Sequence, residues 1–205
     1  MNLKSHPVYR RILLKLSGEA SLGKQSSGVD GPAIHHIVDS VKTLVDIGVE
    51  VAIVIGGGNF LRGAALTQYG FNRVTCDHMG MLATVMNGLV LRDGFREASL
   101  PVNVVSSLGI PGIVDVYQVT QVQEALKRKE IIIFVGGTGC PLFSTDSAAS
   151  LRAIEIQADI ILKATKVDGV YSADPKKDQG AQLFQKLTFQ EVIDRKLQVM
   201  DLTAM

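Results

Sequence analysis

The apolar run Ile131–Val135 constrains the fold of this chain more than its other segments do. It contains no polar residue, so a strand formed here must be covered on both faces, which is typical of the centre of a parallel sheet. Four other segments predict strands: Arg11–Leu16, Val49–Ile55, Val102–Ser106 and Asp159–Lys163. Helical patterns alternate with them, which predicts an α/β fold, a three-layer αβα sandwich with a mainly parallel central sheet.

The predicted helices have recognisable ends. Asp30 is an expected N-cap with Pro32 in the first turn, and Gly48 ends that helix. Further helices are predicted at Thr75–Glu97, Val119–Lys129 and Ser147–Gln157.

The composition narrows the class of protein. With 205 residues, 46% of them hydrophobic, the chain can bury a sizeable core. Lys and Arg (21) balance Asp and Glu (20), and a net charge of +1 argues against a nucleic-acid binder. Cys76 and Cys140 lack a CxxC partner, which fits a reducing, cytosolic setting. The N-terminal apolar run breaks at Lys15, so we expect no signal peptide, and no segment is expected to be long enough to span a membrane.

Strand Val49–Ile55 runs into a glycine-rich loop, GGGNFLRG at Gly56–Gly63. Glycines let backbone N–H groups approach a ligand closely, Asn59 is expected to cap a following helix, and Arg62 adds a planar cation. Together they predict a cradle for an anion such as phosphate. Leu61 breaks the dinucleotide pattern G-x-G-x-x-G, and the loop lacks the Lys-Ser/Thr pair of a Walker A loop. A tight turn without a ligand is the alternative.

Three other strand ends carry unusual chemistry at the position where open α/β sheets bind ligands. Lys15 and Lys163 each interrupt or close an apolar strand, where a lysine is costly to bury without an anionic partner. An edge-strand lysine is the alternative for either one. The third end, Gly136–Gly139, leads to a helix start that contains Asp146. Two glycine loops and two lysines suit phosphoryl transfer between phosphorylated substrates, with Asp146 expected to accept hydrogen bonds from both lysines.

These residues resemble the amino acid kinase superfamily and, within it, the bacterial uridylate kinases, which make UDP from UMP. The resemblance rests on five segments: KLSGEA at Lys15–Ala20, IGGGNFLRG at Ile55–Gly63, DHMGMLATVMNGL at Asp77–Leu89, GTGCPLFSTDSAA at Gly137–Ala149 and KATKVDGVYSADP at Lys163–Pro175. The helix that contains Asp77 is the segment specific to uridylate kinases. Considered without the family, its Met79, Met81 and Met86 are expected in the core.

The resemblance implies a role for each matching residue. Those implied to be catalytic are Lys15, Arg62, Asp146 and Lys163. Those implied to bind ATP are Lys15, Leu16, Ser17, Gly18, Gly58, Arg62, Thr165, Tyr171 and Asp174. Those implied to bind UMP are Gly57, Asp77, Thr138, Gly139, Cys140, Pro141, Leu142, Phe143, Ser144 and Thr145, with Asp77 at the ribose. No residue is assigned to a metal, because Mg²⁺ would be carried mainly by the oxygens of ATP.

The resemblance also implies the organisation and regulation of the protein. It implies a single amino acid kinase domain over residues 1–205, with a UMP-binding lobe to about residue 160 and an ATP-binding lobe over about 161–205. The polar loop Gly169–Gly180 is expected near the boundary between these lobes. A cytoplasmic homohexamer, inhibited by UTP and activated by GTP, is further implied.

The sequence departs from the family pattern at three places. Cys140 stands where the family usually has Asn, and the loop Gly23–Gly28 lacks an aromatic residue often found near Ser27. The family continues for a few elements past the position of Met205, so the ATP-binding lobe is expected to be truncated here.

Two other functions stay open on the sequence alone. One is a carboxylate or carbamate kinase of the same superfamily, and the other is a nucleotide-binding regulator without catalysis. Asp77 and the segment Thr138–Thr145 favour a nucleotide acceptor over a carboxylate. The presence of both Lys15 and Lys163 speaks against a regulator.

Overall fold

A computed structural model describes residues 7–61, 66–165, 167–197 and 199–205. Its strands are β1 (Arg11–Leu16), β2 (Glu50–Ile55), β3 (Val102–Ser106), β4 (Asp115–Val116), β5 (Ile131–Val135) and β6 (Ile160–Lys163). Its helices are α1 (Gly31–Asp46), α2 (Arg73–Glu97), α3 (Val119–Lys127), α4 (Thr145–Glu155) and α5 (Phe189–Asp194). Single 3₁₀ turns lie at Gly18–Ser21, Thr67–Tyr69 and Leu202–Ala204. The expected cap of α1 is confirmed, because the Asp30 carboxylate accepts a hydrogen bond from the Ala33 amide.

The strands form one sheet in the order β4-β3-β5-β2-β1-β6, and all of their pairings are parallel. This confirms the predicted α/β class, with β5 buried along its whole length. Because the strands are parallel, their carboxyl ends meet at one edge of the sheet. The loops after β5, β2, β1 and β6 are therefore four neighbours along that edge, and they are the four strand ends with unusual chemistry.

Two hydrophobic clusters cover the faces of the sheet and confirm the three layers. Within β2, Ile53 belongs to the cluster that packs under α1 and α2, whereas Val54 belongs to the cluster under α3 and α4. Ile133 and Phe134 divide between the same two clusters in β5. This alternation follows from the two-residue period of a strand, since successive side chains point to opposite faces.

Helix α2 presents two different faces. Met81 is buried as expected, but Met79 and Met86 are 41% and 48% exposed, so the expectation of a core position is wrong for these two. Residues seven apart lie on the same side of a helix, and here that side points away from the sheet. Leu82, which is 50% exposed, completes an apolar stripe of α2 made of Met79, Leu82 and Met86.

By length and composition alone, α2 is long and apolar enough to cross a membrane, so the expectation that no segment is long enough is wrong on length. Core helices of globular folds have the same property. In this fold α2 lies directly on the sheet, where a Cβ added at Gly88 would overlap the Val135 side chain. Its Asn87 is fully buried and hydrogen-bonded to Gly56 and Asn59. These contacts are those of a helix packed in a core.

Candidate active site

Two lysines meet one carboxylate at the carboxyl edge of the sheet. Lys15 and Lys163 are register partners on β1 and β6, so their side chains project to the same face. Asp146, in the first turn of α4, lies between them. The Lys15 Nζ is 2.6 Å from Asp146 Oδ1, and the Lys163 Nζ is 2.8 Å from Oδ2. The predicted hydrogen bond to Asp146 is thus present for Lys163, whereas Lys15 forms an ion pair with the same carboxylate.

The surroundings of Asp146 favour its charged form. Burial raises the pKa of this carboxyl, but the two ammonium groups outweigh burial and hold the pKa below its ordinary value of 3.8. Asp146 also lies at the N-terminus of α4, where the helix dipole favours an anion. The hydroxyl of the N-cap Ser144 accepts hydrogen bonds from the amides of Asp146 and Ser147. The carboxylate is therefore a fixed anion that holds the lysines in place.

The lysines keep capacity for a further anion. Lys163 also donates to the Val199 carbonyl at 2.6 Å. Within the described residues, the contact of Lys15 is the ion pair with Asp146, whose Oδ1 accepts no hydrogen bond of good geometry. An ammonium group carries three N–H donors, so Lys15 has donors left for a phosphate oxygen.

The first glycine loop is shaped by contacts that exclude larger side chains. A Cβ added at Gly18 would stand 2.6 Å from the Gly58 amide nitrogen, and one added at Gly57 would stand 2.7 Å from the Ala83 Cβ. Among the described residues, a Cβ added at Gly58 would meet no atom within 4 Å. Gly18 and Gly57 are thus needed for packing, whereas Gly58 borders open space in which a ligand can approach the backbone.

Asn59 is expected to cap a helix, but the residues that would begin that helix, 62–65, lie outside the described residues. Its side chain exchanges two hydrogen bonds with Asn87 of α2, at 2.9 and 2.7 Å, and its Nδ2 donates to the Gly28 carbonyl at 2.8 Å. Both asparagines are buried, so the pair satisfies amides that would otherwise be costly to bury. Asn59 therefore anchors the glycine loop to α2. Arg62, the expected cation of this loop, lies outside the described residues.

The second glycine loop, Gly136–Gly139, needs glycine for its backbone. Gly136, Gly137 and Gly139 have φ of 75°, 59° and 81°, in the left-handed region that glycine adopts freely. The Gly136 amide donates to the Thr84 hydroxyl at 2.7 Å, and the Ser107 hydroxyl donates to the Gly137 carbonyl at 2.8 Å. Side chains from two elements therefore hold this loop on opposite sides.

A cavity of about 600 Å³ lies between the two loops and α2. This volume is in the range of small-molecule sites. Of the residues expected to bind UMP, those that line it are Gly57, Asp77, Leu142, Phe143, Ser144 and Thr145. Those that do not line it are Thr138, Gly139, Cys140 and Pro141. Asp146 immediately follows the cavity wall, which places the lysine pair beside the cavity.

Asp77 connects α2 to the wall of this cavity. Its carboxylate accepts a hydrogen bond from Arg73 Nε at 2.9 Å and another from the Leu142 amide at 2.9 Å. Leu142 has a φ of 73°, which is uncommon for a residue with a side chain. The hydrogen bond from the Leu142 amide to Asp77 helps to hold that backbone conformation. The Asp77 carboxylate therefore shapes the cavity wall and is itself an acceptor that lines the cavity.

The residues expected to bind ATP are divided in space. Leu16, Ser17 and Gly18 end β1 beside the first glycine loop, and Gly58 lines the cavity. Thr165, Tyr171 and Asp174 follow β6 and are not among the residues that line the cavity. The Thr165 hydroxyl donates a hydrogen bond to the Val167 carbonyl, and the Asp174 carboxylate accepts one from the Lys176 amide. The backbone of Tyr171 pairs with that of Leu183 in an isolated antiparallel β-bridge. These three lie in a loop whose hydrogen bonds are local.

Several lining residues were missed from the sequence. Five of them share one face of α2: Arg73, Cys76, Gly80, Met81 and Thr84. Their helical spacing and the small residues among them are a signal that could have identified this face as the one next to a loop. The segment Asp201–Thr203 also lines the cavity, and the Thr203 hydroxyl lies 2.6 Å from that of Ser147. No pattern in the sequence marks that segment.

The chain belongs to the amino acid kinase family, whose model matches residues 10–205. It is 57% identical over 199 residues to the uridylate kinase of Stutzerimonas stutzeri, covering 97% of this chain and 81% of that protein. The uridylate kinase of Photorhabdus laumondii is 53% identical over 204 residues, covering 100% and 84%. A crystal structure of UMP kinase from Bacillus anthracis matches with a TM-score of 0.92 at 37% identity, covering 96% of this chain and 81% of that one. Within the family, these three relatives are uridylate or UMP kinases, as the motifs of the chain predicted.

Proposed function

We propose that this chain is a UMP kinase, which transfers the γ-phosphoryl group of ATP to UMP and forms UDP and ADP in de novo pyrimidine nucleotide biosynthesis. The observation that carries the proposal is the Lys15–Asp146–Lys163 cluster, held at the carboxyl edge of the sheet beside a cavity between two glycine loops. Phosphoryl transfer needs positioning and charge neutralisation more than covalent catalysis, and this arrangement offers both.

The proposed step uses the two lysines at the transferring group. A phosphate oxygen of UMP attacks the γ-phosphorus of ATP, and the bond from that phosphorus to the β–γ bridging oxygen breaks. ADP leaves with the electron pair of that bond. Lys15 and Lys163 stabilise the negative charge on the oxygens involved, and Asp146 keeps both ammonium groups in place before the substrates arrive. Arg62 would add a further cation at this point.

The acceptor nucleotide is proposed to occupy the cavity. Gly58 offers backbone next to open space for its phosphate, Gly57 lines the cavity beside it, and the Asp77 carboxylate is an acceptor for the hydroxyls of its ribose. The second glycine loop, with the wall from Leu142 to Thr145, would surround the base. Cys140 is exposed and does not line the cavity, so any contact it makes with uracil would require the loop to move.

Mg²⁺ is proposed to enter with ATP, bound to its phosphate oxygens. The carboxylate closest to the proposed phosphoryl site, Asp146, faces ammonium groups with both oxygens, so it is not available as a metal ligand. When bound, the ion would neutralise phosphate charge alongside the lysines.

Regulation and assembly are proposed on the same basis. UTP carries the uracil and ribose of UMP, so it can compete for the cavity as an inhibitor. Activation by GTP would act through the loop Gly23–Gly28, because Gly28 is hydrogen-bonded in both directions to Asn59 of the glycine loop.

The apolar stripe of α2 supports association between copies, for which we propose a homohexamer. Two free cysteines are consistent with a cytoplasmic location.

The test is a coupled ADP-release assay on the purified chain with MgATP and a panel of acceptors. We expect kcat/KM for UMP to exceed that for CMP, dUMP and AMP, because a pocket that hydrogen-bonds one base and its ribose hydroxyls leaves polar groups unpaired with a different base or with a deoxyribose. Equal values for UMP and CMP would overturn the acceptor assignment.

The alternatives are separated by the same assay. A carboxylate or carbamate kinase would turn over glutamate or carbamate instead of UMP, a result that the uridylate kinase relatives do not favour. A regulator without catalysis would bind UMP tightly in calorimetry and release no ADP.

A further inference from the structure

Arg152 is a buried cation that the proposed phosphoryl transfer does not use. It lies in α4, is only 5% exposed, and points away from the Lys15–Asp146–Lys163 cluster toward the side of the sheet that holds β4 and β5. Its guanidinium lies 4.4 Å from the centroid of the Tyr117 ring and forms an ion pair with Glu155. A buried arginine is costly unless its donors are satisfied, so each of its contacts is informative.

One of these contacts leads to the cavity. Arg152 Nη2 donates to the Ser107 hydroxyl oxygen at 2.9 Å, and that hydroxyl donates to the Gly137 carbonyl at 2.8 Å. Gly137 lines the cavity. Because Ser107 accepts from a cation while it donates, the direction of its hydroxyl proton is fixed toward Gly137, and the charge strengthens the second bond.

Fixing the Gly137 carbonyl also fixes the next amide. The peptide bond is planar and trans, so the Thr138 N–H points opposite to the Gly137 C=O. In the described part of the chain, that N–H donates to no other group. Gly137 has a φ of 59° and no side chain to restrict it, so without the Ser107 bond this peptide could rotate.

We propose that Arg152 and Ser107 are positioning residues that orient the Gly137–Thr138 peptide for the acceptor nucleotide. The inference rests on the proposed function of the cavity, and it extends that function to residues that do not touch the substrate. Thr84 holds the Gly136 amide from α2, so the relay from Arg152 completes the support of the loop on its other side.

The first test compares Ser107→Ala with Tyr117→Phe. Ser107→Ala removes the bond to Gly137 and leaves the Arg152–Glu155 pair in place. We expect the KM for UMP to rise roughly three- to tenfold, the usual effect of one hydrogen bond, while kcat and the KM for ATP stay within about twofold. Tyr117→Phe removes a hydrogen bond to Glu155 in the same cluster but keeps the ring below Arg152, so it should leave all three constants unchanged.

The second test is a double-mutant cycle with Arg152→Lys, which keeps the charge but loses the planar fork of donors. If the two residues act as one relay, adding Ser107→Ala to Arg152→Lys raises the KM for UMP no further. If Arg152→Lys fails to fold, calorimetric titration of UMP into Ser107→Ala and into the unmodified chain compares their affinities for UMP directly.

An unchanged KM for UMP in Ser107→Ala, or an equal rise for UMP and ATP, would overturn the relay. Failure of the proposed function looks different, since the unmodified chain would then release no ADP with UMP. A role in stability alone would lower the melting temperature of the Ser107 variant without a shift in KM.

Discussion

At each end of the sheet a buried carboxylate lies among cations, and in the described part of the chain the cluster at the carboxyl end lies beside the cavity. At the amino end, Glu50 is 1% exposed, and its Oε2 lies 2.7 Å from Arg11. Arg10 and Lys129 approach its other oxygen at 3.3 and 3.4 Å. At the carboxyl end, Asp146 lies between Lys15 and Lys163 at similar distances.

The difference is in what else the cations contact. Arg11 also donates to the Ile156 carbonyl, and Lys129 donates to the Gly48 carbonyl at 2.9 Å, so the amino-end cluster is closed by the protein itself. At the carboxyl end, Lys163 likewise donates to the Val199 carbonyl, but the contact of Lys15 within the described residues is the ion pair with Asp146, which immediately follows the cavity wall. A buried charge cluster by itself therefore does not indicate a ligand site. The surrounding backbone decides whether the cluster is closed by protein groups or can bind a ligand.

The largest effect is expected from breaking the closed cluster. Glu50→Ala leaves Arg11 buried without its carboxylate and should lower the free energy of unfolding by about 3–5 kcal/mol. The kcat of the folded fraction should not change, because Glu50 is at the opposite end of the sheet from the cavity. Urea denaturation measures the loss. As a control, Glu97→Ala removes an exposed contact with His35 and should change stability by less than about 1 kcal/mol. A Glu50 variant as stable as that control would contradict the comparison.

The open cluster should show the reverse pattern. Lys15→Ala and Lys163→Ala should each lower kcat by roughly 10²–10³, or about 3–4 kcal/mol, because each removes a preorganised stabiliser of transferring charge. The KM for UMP should change only a few-fold. Steady-state kinetics, with Lys129→Ala from the closed cluster as the matched control, tests this. A loss of only a few-fold in kcat for either lysine would show that its assigned role is wrong.

Part of the fold and part of the candidate site can be predicted from the sequence alone. The strands β1, β3 and β5 are predicted to the residue, because their apolar runs end at charges, glycines or prolines. The short edge strand β4 and helix α5 were missed, since two and six residues carry too little periodicity. Lys15 and Lys163 could be selected as unusual strand residues, but their shared register depends on pairing between β1 and β6, which lie far apart in the sequence.

Other parts of the site depend on contacts that no local pattern contains. Asn59 satisfies the rule for a helix cap, but no local pattern predicts its pairing with Asn87, which is 28 residues away. Arg152 and Ser107 give no signal in the sequence because their relay joins α4 to the loop after β3. The roles of Asp77 and the Thr138–Thr145 segment came from the family resemblance rather than from the residues themselves.

A smaller effect separates the glycines that pack from the glycine that faces open space. Gly58→Ala should fold like the parent, since its Cβ would meet no atom of the described residues within 4 Å, but should lower kcat/KM about tenfold or more by displacing the phosphate. Gly57→Ala should instead lower the melting temperature, since its Cβ would overlap Ala83 and overpacking costs about 1–3 kcal/mol. Thermal denaturation and kinetics on both variants decide the point. Full activity in Gly58→Ala would show that no ligand occupies that space.

The smallest effect concerns the pH dependence of stability at the two carboxylates. Burial raises the pKa of Glu50, but Arg11 and Lys129 outweigh it and hold the pKa below the ordinary 4.5. A carboxyl whose pKa is lowered on folding stabilises the protein above its unfolded pKa, and that contribution is lost as pH falls through the folded value. The free energy of unfolding should therefore decline below about pH 4.5, with a slope of up to about 1.4 kcal/mol per pH unit for each such group.

Replacing either carboxyl should reduce the loss of the free energy of unfolding at low pH, and the two replacements should act in different pH ranges. Glu50→Gln keeps the shape and a hydrogen-bond acceptor for Arg11 but cannot titrate. The free energy of unfolding of this variant should therefore fall less below pH 4.5 than that of the unmodified chain. Asp146→Asn should flatten the curve from a lower pH, because the ordinary pKa of an aspartate is 3.8. Urea denaturation at a series of pH values measures both slopes. If Glu50→Gln retained the full acid dependence of the parent chain, the closed cluster would not be holding Glu50 in its charged form, and the likeness between the two ends of the sheet would fail.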